Sequence, residues 1–182
     1  KARRQRWTTD EINENLGREL LELFTVSPAA GYSQDDVMAV TYILTGWGVN
    51  RPDQWRKVGV PLGSYFNFDK HEPGTQTVMG KKYSAFVHND GKLQSLVDDL
   101  AAHPATAQHI CHKLAVAFIA DEPPVDCVAR LVAVFQKSKG HLPAVHKAVV
   151  AEVALAAAQV RKFQDPQTWL WSIFRVSGMP LR

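Results

Sequence analysis

The sequence predicts an all-α fold: a multi-helix globular domain interrupted by one irregular loop that carries a short β-hairpin. Three observations support this reading. Apolar residues recur at helical spacing on both sides of the chain, from Ile12 to Phe24 and again from Lys92 onward. Capping residues or prolines precede most of these stretches. Between Val49 and Asp90 the helical period disappears while Gly and Pro recur.

The first helix is capped by Thr8 or Thr9, with Asp10 and Glu11 in its favourable first turn. Ile12, Leu16, Leu20, Leu23 and Phe24 predict its buried stripe, and it ends near Thr25, before Ser27-Pro28. Ser33-Gln34-Asp35-Asp36 reads as a capping box with Asp in place of the usual Glu, and Tyr32 and Val37 are placed as a hydrophobic staple. Val37, Val40, Thr41 and Leu44 give the second helix its inner face, and Gly46-Trp47-Gly48 stops it. In the irregular insertion, residues 49–90, Tyr65 to Phe68 and Thr77 to Met79 read as short extended segments. Asp90 then caps a helix over residues 92–102. Pro104 opens 105–120, and Pro123-Pro124 opens 125–137. One long helix is expected from Leu142 to Lys162, and Asp165-Pro166 starts the last, through Val176.

At 182 residues the chain suits a single helical domain, 1–182, able to bury a core without disulfides or metals. Its net charge of +3 is lopsided. Lys1, Arg3, Arg4 and Arg6, in a basic start over residues 1–8, are four of 21 basic residues and leave 17 against 18 acids. The body is thus near neutral, which argues against nucleic acid as the partner. No uninterrupted apolar run reaches the ~20 residues of a membrane span. Cys111 and Cys127 are isolated residues in apolar helical settings and read as buried thiols.

Two regions carry candidate chemistry. The first helix presents Glu11, Asn15, Glu19 and Glu22 near one line, and Glu14, Arg18 and Glu22 at i, i+4 spacing on another. In the insertion, Asp69-Lys70-His71-Glu72-Pro73-Gly74 places an imidazole between carboxylates beside a tight turn. Carboxylate plus imidazole suits a divalent metal or a general-base pair; the alternative is a solvated surface turn. The candidate polar site therefore joins Arg18, Glu19, Glu22, His71 and Glu72, with His71, Glu19 and Glu22 as the ligands if a metal is bound. His109 and His112 are i, i+3 on one helix but lack a third ligand at recognisable spacing, and His103 before Pro104 reads as a helix-start residue.

Several stretches together resemble a large bacterial family, domain-of-unknown-function family 1800. They are Asn13-Glu14-Asn15 through Leu23, Gly31-Tyr32-Ser33-Gln34-Asp35-Asp36-Val37, Leu44-Thr45-Gly46-Trp47 and His71-Glu72-Pro73-Gly74 with Gly80. Downstream they continue as His103 to Ala107, Lys113-Leu114 with Phe118, and Asp121-Glu122-Pro123-Pro124. The resemblance implies a mainly helical protein, usually longer than this chain, exported to the periplasm or secreted, and without an established activity. The family pattern has His-Asp and a Lys after the glycine, where this chain has His71-Glu72 and Gln76, and a small alanine where it has Gly17. The family's upstream region lacks a counterpart here, which reads as a fragment or a divergent short form. The functional expectation is an exported binding or assembly module acting with a partner protein or as a homo-oligomer, with apolar faces exposed on the first and last helices. A metal-dependent hydrolase built on the His/Glu site is the alternative.

Overall fold

The computed structural model describes residues 13–50, 63–84, 91–157 and 162–178. The expected caps at Thr8, Thr9 and Asp90, the basic start, and Asp10, Glu11 and Ile12 of the first helix lie outside these residues. Seven α-helices are found among the described residues: α1 (Asn15–Glu19), α2 (Gln34–Leu44), α3 (Gly91–Ala102), α4 (Pro104–Phe118), α5 (Val125–Lys137), α6 (Leu142–Ala156) and α7 (Pro166–Ser177). Two antiparallel strand pairs interrupt them, β1 (Trp47–Asn50) with β2 (Gly63–Phe66) and β3 (Gln76–Val78) with β4 (Lys81–Tyr83). The fold is mainly helical, as expected, although the insertion holds two strand pairs where one hairpin was predicted. The chain forms two compact units, Lys1–His109 and Ile110–Arg182, with the division falling inside α4.

In the first unit α1 passes into a π-helical turn, Leu20–Phe24. The buried face runs through Gly17 and Leu21, one residue on from the expected Leu16 and Leu20, and the wider turn then rotates Leu23 and Phe24 off it. Leu21 is fully buried, whereas Leu16, Leu23 and Phe24 are exposed. Gly17 is the other buried residue of α1 and lies directly against Val37 and Thr41 of α2. The capping box of α2 is complete: Asp36 N–H donates to Ser33 Oγ (3.2 Å) and Ser33 N–H to Asp36 Oδ2 (2.7 Å). Asp36 Oδ1 also accepts from Met79 N–H at 2.6 Å, tying the start of α2 to the β3–β4 turn. That turn places Met79 (φ 48°) and Gly80 (φ 80°) at positive φ, as a tight two-residue hairpin loop requires. The core of this unit gathers Leu21, Val37, Val40, Ile43, Val78 and Leu96 around α2.

In the second unit, α5 and α6 pack against each other through Cys127, Val128, Leu131 and Phe135 on one helix and Val145 and Val149 on the other. Helix α6 ends at Ala156, earlier than the long helix expected, and Lys162 lies in irregular chain. Asp165 caps α7 by accepting from Gln167 and Thr168 N–H, both at 3.0 Å, and Gly178 ends it in the left-handed conformation (φ 66°).

Candidate functional site

The His71 loop is positioned from the end of α2. Gly46 takes φ 85°, and a Cβ there would sit 2.7 Å from the Asn67 carbonyl oxygen and 3.0 Å from His71 Cβ, so glycine permits this close approach. Asn67 N–H donates to the Gly46 carbonyl at 2.7 Å, and the Asn67 side chain caps the short turn Phe68–Lys70. This delivers the imidazole to Thr45. His71 Nδ1 lies 2.7 Å from the Thr45 carbonyl oxygen. A carbonyl only accepts, so Nδ1 carries the proton and Nε2 is the basic nitrogen. Thr45 Oγ1 accepts Glu72 N–H at 2.7 Å and donates to the Tyr42 carbonyl at 2.6 Å. Phe66 stacks at a tilt between His71 (5.1 Å) and Trp47 (5.5 Å).

Beneath this loop lies Lys92, 4% exposed, whose ammonium donates to the Gly74 carbonyl at 2.7 Å. Burial lowers its pKa, and the nearby Glu72 charge opposes that shift. The sequence reading missed Lys92, although a signal was present. Lys92 occupies the i position of the stripe that continues through the buried Leu96 and Leu100.

Arg18 belongs to a different cluster. It donates to Glu14 Oε1 and Gln34 Oε1, and Gln34 in turn donates to Glu14 Oε2. The Arg18 hydrogen bond is the main reason the Glu14 carboxyl titrates lower than usual. Glu22 acts electrostatically on Arg18 and Tyr32, and Glu19 is exposed. Gln34 opens α2 and Thr45 closes it, so the Arg18 and His71 clusters sit at opposite ends of a helix of about 16 Å. The structure therefore brings Arg18 to Glu14 and Glu22, and His71 to Thr45 and Glu72, as two groupings. Among the described residues no group of three or more His, Cys, Asp and Glu is arranged to hold a metal ion, and Glu19, Glu22 and His71 do not form one. His103 has the helix-start role expected, its Nδ1 accepting Ala105 N–H at 3.1 Å.

The second unit holds a polar clamp and an apolar groove. Arg130 of α5 grips the buried Glu152 of α6 through two bonds, Nε to Oε1 at 2.7 Å and Nη2 to Oε2 at 2.8 Å, and reaches Asp126 with Nη1 at 2.7 Å. The guanidinium holds the Glu152 carboxyl below its usual range, and burial pushes the adjacent Cys127 thiol up to about 11. This is a neutral, unreactive thiol in a structural clamp. Glu152 was not among the candidate site residues, though it shares the stripe of Val145 and Val149 at i, i+4, i+7.

The groove, of about 400 Å³, runs between Leu114 and Phe118 of α4 and His146, Val149, Val150 and Val153 of α6. Phe118 is 60% exposed and Val150 69%. Close by, Lys162 Nζ donates to the Val116 carbonyl (2.7 Å) and to Asp121 Oδ1 (2.9 Å), anchoring the chain that leads into α7. Helix α7 itself buries no residue. Trp169 (57% exposed), Leu170 and Val176 stand in solvent with the half-buried Ile173 and Phe174, spanning about 160° of the helix. Its charge between Pro166 and Ser177 is Arg175 alone.

No helix among the described residues is long and apolar enough to cross a membrane. Neither the curated proteins nor the solved structures give a match to this chain. The family model described as "Protein of unknown function (DUF1800)" matches residues 3–181, nearly the whole length. The expectation drawn from the His-Glu-Pro-Gly turn, the capping box and the Gly46-Trp47 stop is met, and the chain belongs to the DUF1800 family.

Proposed function

We propose that this protein is a helical binding module that acts by protein–protein contact, with the apolar face of α7 as its contact surface. The observation that carries the reading is that α7 is fully formed, capped at both ends, and buries nothing. A 12-residue helix is marginal in water without tertiary packing of its apolar face. Exposed contiguous apolar patches of this kind mark interaction sites. The polar clusters support the same reading by what they do: the Arg18, Lys92 and Arg130 groups each tie one segment to another within a unit.

The test is hydroxyl-radical footprinting of α7 in the intact producing cell and in dilute purified protein. The module reading expects Trp169 and Leu170 to be protected in the cell and reactive in dilute solution. Equal reactivity in both settings overturns it. Family resemblance adds export to the proposal, and fractionation should find the chain in the periplasmic or secreted fraction.

A metal-dependent hydrolase is the second reading, and the His71 tautomer favours it. A carbonyl-bound Nδ1–H is how a ligating histidine is commonly oriented, with Nε2 toward the metal. Elemental analysis of the native protein paired with His71→Ala decides: stoichiometric metal lost in the variant would support this reading, and no metal in the native protein would defeat it.

A further inference from the structure

We infer that the occupant of the α4–α6 groove is helix α7 of a second copy of this chain, exchanged reciprocally so that each copy fills the other's groove. This rests on the binding-module reading above and names its partner.

Four observations lead there. The first is length. The α6 wall of the groove runs from His146 to Val153, and the anchors of α7 run from Trp169 to Val176. Both spans are eight residues, about 10 Å from first to last along a helix axis. The second is pattern. His146, Val149, Val150 and Val153 follow i, i+3, i+4, i+7, and Trp169, Ile173 and Val176 follow i, i+4, i+7. That is the helix-in-groove arrangement, in which one stripe of anchors seats against another.

The third is charge. Among the described residues no Lys, Arg, Asp or Glu lines the groove, and Arg175 lies off the α7 apolar arc. Seating α7 in the groove therefore strips water from no charged side chain. The fourth is area. A buried aromatic residue hides roughly 150–250 Å². On that scale, one α7 in one groove removes on the order of 700 Å² from water, counting both surfaces, which is below the ~1,000 Å² that a specific interface needs. Two such contacts, related by a twofold axis, reach about 1,400 Å² and fall within the standard size. One α7 in one groove, without the reciprocal contact, stays short of that area.

The anchoring of Lys162 on Val116 and Asp121 holds the start of α7 beside the groove. This lets a twofold pair pass both helices across without unfolding either unit. It also defines the competing arrangements: α7 folded onto its own groove, or α7 packed on α7 of the partner.

The experiment is sedimentation equilibrium of the full chain from about 1 to several hundred µM, on the native protein, Leu170→Glu and Val150→Glu. Both positions are exposed, so both variants should fold, with circular dichroism and Tm matching the native chain. The expected result is a native monomer–dimer equilibrium and monomer for each variant. Each variant loses one half of both reciprocal contacts, so its dimer dissociation should shift by at least tenfold.

A native chain that stays monomeric overturns the inference. If α7 is still protected in the cell, the binding-module reading stands with another partner; if α7 is protected in the dilute monomer, it has closed on its own groove and both fall. A Val150→Glu chain that dimerises as the native chain does overturns the exchange in favour of α7–α7 packing. A Leu170→Glu chain that dimerises as the native chain does overturns it as well, because the α7 face is then not the contact.

Discussion

Replacing Gly17 with alanine isolates the tightest contact in the first unit. Gly17 is buried, and its backbone is helical, so alanine meets no conformational penalty and gains about 1 kcal/mol in helix propensity. The added Cβ, however, would overlap Thr41 Oγ1 and lie 3.0 Å from the Val37 carbonyl oxygen and 3.1 Å from Thr41 N. Two of these three atoms belong to the α2 backbone and cannot rotate away. The third is held by its bond to the Val37 carbonyl at 2.8 Å. Overpacking of this kind costs about 1–3 kcal/mol, and with fixed backbone neighbours the upper part of that range applies. The net expectation is a loss of about 2 kcal/mol after the propensity gain is set against it. Thr41→Ala in the same background should recover about 1 kcal/mol relative to additivity, because it removes one of the three contacts. The assay is amide hydrogen exchange at Val40 and Ile43, which reports the first unit alone, supported by urea unfolding. A Gly17→Ala chain as stable as the native one, or more stable, would refute the close α1–α2 crossing.

Three further outcomes are expected. Ser33→Ala should cost about 1 kcal/mol by removing half of the capping box, and Asp36→Ala should cost more because it also releases Met79 N–H; urea midpoints in the two variants give the ranking. Lys92→Met should leave α3 folded while exchange of the amides in residues 71–75 rises at least tenfold, since the ammonium that holds the Gly74 carbonyl is lost; unchanged exchange would show that the lysine does not hold the loop. The third outcome is alkaline. Burial raises the Cys111 and Cys127 thiols from 9.0 to about 11, so the folded chain keeps protons that the unfolded chain releases. Their stabilisation is complete below pH 9 and is lost as pH rises toward 11. Lys92, with a lowered pKa, works in the opposite sense in the range below 10.5. A Tm–pH profile should therefore fall above pH 9, and Cys111→Ala should flatten that fall.

The helical ends of the chain were legible because capping and periodicity are local. Ser33-Gln34-Asp35-Asp36, Pro104 and Asp165-Pro166 each start a helix where the residues said they would. The π-turn at Leu20–Phe24 was not legible. It inserts one residue into the helical count, and an ordinary 3.6-residue period then assigns Phe24 to the wrong face, while Leu16 gives way to Gly17, whose missing side chain lets α2 approach. β1 was missed because Gly46-Trp47-Gly48 reads as a stop signal, and its pairing with Gly63–Phe66 is set by chain distant in sequence. The site residues divide in the same way. His71 was found from its neighbours, but its partner Thr45 lies 26 residues away and was read as part of a helix end. Arg18 and His71 were joined on chemical type, and the length of α2 separates them. Lys92 and Glu152 were not singled out because each is a single polar residue within an apolar stripe, and only packing shows that the stripe is buried.

The account turns on whether the α7 face is covered when the protein is at work. The most direct measurement is the oxidation rate of Trp169 and Trp171 by hydroxyl radical, each taken relative to Trp47, whose indole nitrogen is already buried. It is made in the intact producing cell and again on purified protein at about 1 µM, a dilution at which a contact of micromolar affinity has half dissociated. A covered face predicts that the Trp169 ratio is at least severalfold lower in the cell and rises on dilution while Trp47 stays constant. Equal ratios in the two settings would contradict it.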